Sequence, residues 1–372
     1  MKKIFYFSFI VLLLSCSADK EIKMVKASFP EVGTNLISWL DIFSDVEMIV
    51  LTGEQAPMFS PQACRLSLHN GFYYVADNAH TEKTHRFDQN GKYLNSIGTP
   101  GRGPEEYISI LDFVVDDRGN VVIHPYGQDV VVSYSKDGTF LGRRELPYGP
   151  YTFFSFNGFE YNYTGVIGDG YQLYVTDGSG ETVIEFLPQY TSAPLSWFPN
   201  SQMFSVYDNG VNFCPDVDDG IYWLKDGKME IRYRFDFGDY TITDEYYKKD
   251  FDTFVDFLSS NSVAYKEAFF ENSHCAVLFV IILGKVNPEP LFPSFVMGVL
   301  DKRRDAWRWF NFDENNFMSI PLYFDEEYAY FLASAELMRE ESGLTERFPL
   351  LNTVTEGNDT VILKCKTKSI KL

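Results

Sequence analysis

One unit recurs along this chain: an aromatic or apolar strand, a tight turn that contains glycine, and a second strand. The turns fall at Gly91, Gly138, Gly180 and Gly227, so the steps between them are 47, 42 and 47 residues. Asn and Gly tolerate the positive φ that a tight hairpin turn requires. A period in the forties that is built from hairpins is typical of propeller blades with four strands each. The spacing therefore predicts an all-β fold.

The copies of the unit set the number of blades. They lie at 84–97, 131–146, 171–187 and 221–237, with a degenerate copy that lacks glycine at 299–312. The hairpin Phe113–His124 would supply the inner strand pair of one blade. Val46–Leu51 and Thr360–Lys366 are strand-like segments at the two ends of the chain. We expect them to share a closing blade, because a closed ring leaves no exposed edge strands. The sequence thus predicts a six-bladed β-propeller of four-stranded antiparallel blades.

One segment departs from the strand pattern. Between Thr243 and Ser260, apolar residues recur at helical spacing, and Thr243 could cap the first turn. We therefore predict a short inserted amphipathic helix that covers its own sheet or, alternatively, meets a partner. Cys275–Leu283 is a run of nine apolar residues, which fits a buried strand and is too short to span a bilayer as a helix.

The composition excludes one class of partner. Aromatic residues make up 17% of the chain, which favours strands, and the net charge is −20. Affinity for nucleic acid depends largely on Lys and Arg, so we expect no nucleic-acid partner. An acidic surface permits a cationic partner or a divalent metal, although it also serves solubility alone.

The first residues predict export. Lys2 and Lys3 precede an apolar run from Ile4 to Leu14, which has the length of a signal peptide rather than of a membrane span. The segment from Leu13 to Cys16 looks like a bacterial lipobox, which implies cleavage before Cys16 and a diacylglycerol on its sulfur. We expect a signal peptide over 1–15, a lipidated tether over 16–35 and one propeller domain over 36–372. The partner of the lipid would be a cell-envelope membrane, the outer membrane, at either its periplasmic or its surface face.

Four further cysteines are widely spaced, at Cys64, Cys214, Cys275 and Cys365. The absence of a C-x-x-C pair disfavours a zinc site. An exported protein can form disulfides, but the spacing does not reveal a pairing. Cys275 and Cys365 lie in apolar strand-like runs, where buried thiols are expected.

Several stretches resemble a family of Bacteroidota lipoproteins with a TolB-like or NHL-like six-bladed propeller, many of which are domains of unknown function. The segment Gly101–Tyr107 is similar to the family pattern G-R-G-P-G-E-Y, although Glu105 replaces the last glycine. The resemblance also covers the lipobox at Cys16, Trp39–Leu51, the turn from Phe87 to Gly91, Asp218–Gly227, Phe235–Gly238 and the segment from Glu356 to Leu363. It implies the fold, whereas propellers host many activities.

The chain lacks several common motifs that carry chemistry. It contains no phosphate-binding loop, no H-E-x-x-H and no nucleophile elbow. Arg102, Glu106 and Tyr107 are candidate ligand contacts where the link reaches a propeller face; alternatively, Arg102 and Glu106 stabilise the crossing between blades. Acids near turns could bind calcium, although turn formation explains them more simply and no motif supports a cofactor. These acids are Asp116, Asp117, Asp216, Asp218 and Asp219.

These observations favour a lipid-anchored envelope propeller that binds a glycan, peptide or protein without catalysis. One alternative is a metal-dependent propeller enzyme, a lactonase, hydrolase or lyase that acts on a glycan or ester. Another is a structural subunit of an envelope complex, which the inserted helix would contact.

Overall fold

The computed structural model of the protein describes residues 22–193, 202–215, 218–247, 249–285, 293–312, 320–341, 343–354 and 360–370. The predicted signal peptide, Cys16, Asp216 and the segment 356–359 lie outside the described residues. The described strands form six sheets, and each sheet contains four antiparallel strands that are neighbours in the sheet. The predicted six-bladed β-propeller is therefore confirmed, and we number the blades along the chain from residue 64.

The N-terminal residues attach to the outside of the ring. Strand β1 (Lys23–Lys26) pairs in parallel with the outermost strand of blade 4, and β2 (Leu36–Ile37) pairs in parallel with the outermost strand of blade 5. Helix α1 (Trp39–Ile42) and strand β3 (Val46–Val50) follow. Residues 23–26 and 36–37 are thus bound to the propeller, where the sequence predicted a tether up to residue 35.

Blades 1 to 3 follow one another without interruption. Blade 1 consists of β4 (Cys64–His69), β5 (Phe72–Asp77), β6 (Lys83–Phe87) and β7 (Tyr93–Ile97). Blade 2 consists of β8 (Ile110–Val115), β9 (Val121–Pro125), β10 (Val130–Tyr134) and β11 (Phe140–Glu145). Blade 3 consists of β12 (Thr152–Phe156), β13 (Phe159–Tyr163), β14 (Tyr171–Thr176) and β15 (Thr182–Pro188). The repeated unit of the sequence is the outer strand pair of each blade, and β8 with β9 is the predicted inner pair.

Blades 4 to 6 complete the ring. Blade 4 consists of β16 (Phe204–Tyr207), β17 (Gly210–Phe213), β18 (Gly220–Lys225) and β19 (Lys228–Asp236). Blade 5 consists of β20 (Ser262–Glu271), β21 (Cys275–Gly284), β22 (Ser294–Asp301) and β23 (Ala306–Phe312). Blade 6 takes β24 (Tyr323–Phe324), β25 (Tyr328–Ser334) and β26 (Thr360–Lys366) from the end of the chain and β3 from its beginning. Every residue of β21 is buried, as its apolar sequence predicted.

The ring closes by the pairing that the sequence predicted. Strand β26 is antiparallel to β3, with Leu363 opposite Met48 and Val361 opposite Val50. Gly91 of blade 1 also contacts this closure, since a Cβ atom there would lie 2.2 Å from the carbonyl oxygen of Val50. The same glycine has a φ of +81°, so the turn requires a residue without a side chain on both grounds.

Short helices occupy the connections between strands. They are α2 (Asp244–Tyr247), α3 (Phe251–Leu258), α4 (Ala335–Glu340) and α5 (Leu344–Arg347), with 3₁₀ turns at Pro61–Ala63, Gly238–Tyr240, Pro349–Thr353 and Thr367–Ser369.

The prediction of one helix from Thr243 to Ser260 is wrong in its extent. Asp250 has an extended backbone, and its carboxylate accepts a hydrogen bond from Thr253 N at 2.8 Å, so α3 begins afresh after α2. Phe254 and Leu258 are buried against β20 and β21 of blade 5. The helix therefore covers its own sheet, as the sequence indicated.

Candidate functional site

The six innermost strands line a central channel. Its cavity of about 340 Å³ is bounded by residues of β4, β8, β12, β16, β20 and β24. The lining extends to the turns that end the innermost strands of blades 1 to 3, at His69, Asp117 and Asn157. Ligand sites commonly have this size and combine apolar walls with a few polar groups.

One ion pair lies in the channel wall between blades 1 and 2. The guanidinium of Arg65 contacts the carboxylate of Asp112, and both side chains are largely buried. Asp112 also accepts hydrogen bonds from the backbone N–H groups of Phe113 at 2.8 Å and Phe153 at 3.1 Å. The pair therefore links three consecutive blades, and its two charges cancel within the channel.

The wall contributed by blade 3 is aromatic. Phe154 stacks on Phe204 of blade 4, with ring centroids 5.9 Å apart and an interplanar angle of 16°. Phe156 and Ser155 follow on the same strand, and both line the cavity. Because Ser155 is exposed and Phe156 is half-buried, this edge of the channel is open to a ligand.

Thr152 adds a buried polar group to the channel wall. Its side chain is 2% exposed and lines the cavity. Within the described chain, no hydrogen-bond partner reaches its Oγ1 atom. A buried hydroxyl without a partner is costly, so a water molecule or a polar ligand atom would be stabilised there.

Two further buried polar residues lie on the second strands, directly behind the channel wall. His124 is opposite Asp112, and Asn162 is opposite Phe153 in the strand register. Burial lowers the pKa of the His124 imidazole, which favours its neutral form. Within the described chain, His124 Nδ1 and both amide atoms of Asn162 have no hydrogen-bond partner. The junction of blades 2 and 3 therefore holds several buried polar groups close to the channel.

A buried ionic cluster joins blades 4 and 5. The carboxylate of Glu271 contacts the guanidinium of Arg232 and lies 2.7 Å from Lys302 Nζ, and it accepts a hydrogen bond from the Tyr233 hydroxyl at 2.9 Å. The Arg232 guanidinium carbon lies 4.5 Å from the ring centroid of Tyr207, at the end of the innermost strand β16. These contacts saturate the carboxylate, so we assign the cluster to the cohesion of the two blades.

The structure separates the predicted ligand contacts Arg102, Glu106 and Tyr107 from the channel, since none of them lines the cavity. They lie on the link from β7 to β8, which enters the start of an innermost strand rather than its end. Arg102 is exposed. The hydroxyl of Tyr107, which is 1% exposed, donates a hydrogen bond to the carbonyl oxygen of Glu82 at 2.6 Å.

Glu106 stabilises the link from β7 to β8 by a contact with the backbone of the same link. Its carboxylate accepts a hydrogen bond from Gly103 N at 2.7 Å, and its position leaves no space for a side chain at Gly101. Glu105, which replaces a glycine of the family pattern, has a negative φ, so the turn does not depend on a glycine there. These contacts fit the alternative in which the link stabilises the crossing between blades, although for Arg102 the structure gives no such contact. A ligand-binding role of the three residues stays a prediction.

Three of the five aspartates considered for calcium, Asp116, Asp218 and Asp219, have other partners. Asp116 accepts hydrogen bonds from Arg118 N and Asn120 N within the turn from β8 to β9. Asp218 accepts from Gly220 N and from the Tyr222 hydroxyl, and Asp219 pairs with Arg234. Over the described ranges, no group of three or more His, Cys, Asp or Glu side chains could hold a metal ion.

No disulfide joins Cys64, Cys214, Cys275 and Cys365, and all four are buried. This outcome agrees with the buried thiols predicted at Cys275 and Cys365. Burial raises the pKa of the thiols of Cys64, Cys275 and Cys365, so they stay protonated at neutral pH.

The sequence interpretation missed Arg65 and Asp112. A usable signal was present, because each is the only Asp, Glu, Lys or Arg on its strand. A charge at an innermost position faces either the channel or a neighbouring blade, so it must be paired.

The strands, the closing blade and the central channel define the protein as a six-bladed β-propeller with a ligand-sized channel. The chain belongs to the family DUF4934, a domain of unknown function, whose family model matches residues 32–366.

Two solved structures show the same fold. A Bacteroides fragilis protein, named as a candidate exported protein, is 18% identical and has a TM-score of 0.68; the match covers 92% of this chain and 98% of that one. A member of the duf4221 family from Bacteroides vulgatus is 13% identical and has a TM-score of 0.53; the match covers 87% of this chain and 97% of that one.

A search of curated protein sequences finds no match to this chain. Among the residues that the structure describes, no helix has the length and apolar character to cross a membrane.

Proposed function

We propose that this protein is a lipid-anchored propeller of the cell envelope that binds a small ligand in its central channel without catalysis. The observation that carries this proposal is the cavity of about 340 Å³, to which the innermost strands of all six blades contribute. The anchor rests on the lipobox that ends at Cys16.

The chemistry of the wall favours an uncharged polar ligand, such as the end of a glycan or a short peptide. Phe154, Phe156 and Tyr323 offer aromatic faces, on which sugar rings and apolar side chains can pack. Thr152 offers an unsatisfied hydroxyl, and Asn157 lies where the wall opens. Because Arg65 and Asp112 neutralise each other, a charged ligand would gain little from either of them.

A thermal-shift screen tests the channel. The domain that begins at Ser17 would be mixed with a pool of neutral oligosaccharides, a pool of short peptides and divalent cations. A ligand at a hundred times its Kd adds about 2.7 kcal/mol to the free energy of unfolding, which raises the Tm of a domain of this size by roughly 4 °C. We expect Phe156→Ala to reduce the shift, while Leu141→Ala, an exposed position on β11, leaves it unchanged.

Either of two results would overturn the proposal. A shift that is equal in the parent and in Phe156→Ala would place the ligand elsewhere, and chemical turnover of a bound ligand would show that the protein is an enzyme. Fractionation of a Cys16→Ala protein tests the anchor separately, because retention in the membrane fraction would refute it.

A further inference from the structure

Residues 22–37, here called the N-terminal strap, run along the outer rim of blades 4 and 5. Val25 is buried, and the ring of Phe29 lies 5.8 Å from Phe237 of the chain leaving blade 4 and 5.5 Å from Trp309 of blade 5. The amide of Asn311 donates hydrogen bonds to the carbonyl oxygens of Glu31 and Thr34 at 2.6 and 2.7 Å. The strap is therefore a docked part of the propeller.

The outward side of the strap is unusually apolar. Ile22, Met24, Val32 and Leu36 are 46%, 61%, 44% and 56% exposed, respectively. They account for four of the seventeen exposed large apolar side chains that the structure describes, although the strap has only sixteen residues. Such a concentration on a surface marks an interaction site more often than a chance exposure.

The charge of the strap differs from that of the whole chain. It contains Lys23 and Lys26 and a single acid, Glu31, whereas the chain has a net charge of −20. Lys23 pairs with Asp305 of blade 5, which leaves the exposed Lys26 as the cation of the strap that faces outward. A lysine among exposed apolar residues suits the interface of a bilayer, where anionic headgroups attract cations and the acyl boundary accepts apolar side chains.

The length of the chain fixes how near a membrane the strap would be. Lys23 is seven residue steps from Cys16, so even a fully extended chain between them spans at most about 25 Å. A lipid on Cys16 would therefore hold the rim of blades 4 and 5 beside the bilayer at high effective concentration.

We propose that the outward side of the strap is the surface by which the propeller lies on a lipid bilayer. This inference rests on the proposed lipid anchor at Cys16. It fixes the orientation of the molecule, with the rim of blades 4 and 5 against the membrane and blade 2 on the far side of the ring.

The test uses the full-length lipidated protein in vesicles of phosphatidylethanolamine and phosphatidylglycerol that contain a doxyl-labelled lipid quencher. An environment-sensitive fluorophore is placed on Met24→Cys, on Leu36→Cys or, as the control, on Leu141→Cys of blade 2. The four native cysteines of the domain are buried, so labelling is directed to the new thiol. We expect the lipid to quench the fluorophore several-fold more strongly at positions 24 and 36 than at 141.

The outcomes separate the two proposals. If the protein floats with the vesicles but quenching at 24 and 36 is no stronger than at 141, the anchor stands and the membrane-facing strap is refuted. If the protein does not float, the anchor is refuted, and the inference that rests on it falls too.

Discussion

The ring of Phe29 meets the ring of Trp309 edge to face, with centroids 5.5 Å apart and an interplanar angle of 83°. This contact joins the beginning of the described chain to the rim of blade 5. It helps to hold the N-terminal strap in place, since the strap contributes only four residues to β1 and two to β2.

Replacement of Phe29 tests how firmly the strap is docked. Phe29→Ala removes an aromatic ring that packs on Phe237, Tyr240 and Trp309, so we expect a loss of about 2 kcal/mol in the free energy of unfolding. Urea denaturation measures the loss, and limited proteolysis should reveal new cleavage within residues 22–37. Met24→Ala is the matched control, because its side chain is 61% exposed and should change stability by less than about 0.5 kcal/mol. Equal behaviour of the two variants would show that the strap is not held by Phe29.

Closure of the ring depends on the pairing of β26 with β3. Leu363 is fully buried and lies opposite Met48 and Phe331. We expect Leu363→Ala to cost about 3 kcal/mol, because a cavity remains between strands from the two ends of the chain. Lys364→Ala at the next position removes an exposed ion pair with Glu47 and should cost less than about 1 kcal/mol. Comparable losses in the two variants, measured by urea denaturation, would argue against this view of the closure.

Stability should fall as the pH falls from 6.5 to 4. Burial lowers the pKa of His85 from its ordinary value of 6.5 to about 4. The unfolded chain therefore takes up a proton at a higher pH than the folded protein does, and the stability present above pH 6.5 is lost on the way down to pH 4. The contribution of His85 is about 3 kcal/mol.

Comparison of the parent with His85→Gln separates the contribution of His85 to the free energy of unfolding from that of the carboxylates, which titrate at nearby pH values. Urea denaturation at several pH values should show a smaller loss of stability between pH 6.5 and 4 in the variant than in the parent. Parallel curves for the two proteins would mean that His85 is equally easy to protonate in the folded and unfolded states.

The native thiols should be unreactive. The four described cysteines are buried, and burial raises the pKa of three of them, so the nucleophilic thiolate is scarce and inaccessible. We expect the domain that begins at Ser17 to show no reaction with a disulfide reagent while folded and four reactive thiols in denaturant. Rapid reaction of the folded domain would indicate that a cysteine-bearing strand opens.

The ring closure shows what local sequence can predict. The segments 46–51 and 360–366 have the composition of strands, and counting the hairpins left one blade incomplete, so their pairing followed from the requirement to close the ring. The same reasoning placed Cys275–Leu283 in a buried strand, because nine apolar residues need cover on both faces.

The strap and the break between α2 and α3 show what local sequence could not predict. Strand β1 has only four residues, K-M-V-K, and it forms because the edge of β19 is available, which is a property of the assembled blade. Apolar residues recur at helical spacing between residues 243 and 260, which indicated one helix. The Asp250 carboxylate caps Thr253 N, however, so a second helix begins there. The residues that line the channel were also missed, since its wall is built from six strands that are distant in sequence.

Obstruction of the channel tests whether the ligand binds there. Ser155 is exposed, lines the cavity and lies on the innermost strand of blade 3. The measurement is a calorimetric titration of the parent, Ser155→Trp and the control Leu141→Trp with the oligosaccharide or peptide that gives the largest thermal shift. We expect Ser155→Trp to keep its Tm and lose binding, while Leu141→Trp binds like the parent. Undiminished binding by a folded Ser155→Trp protein would contradict the assignment of the ligand to the channel.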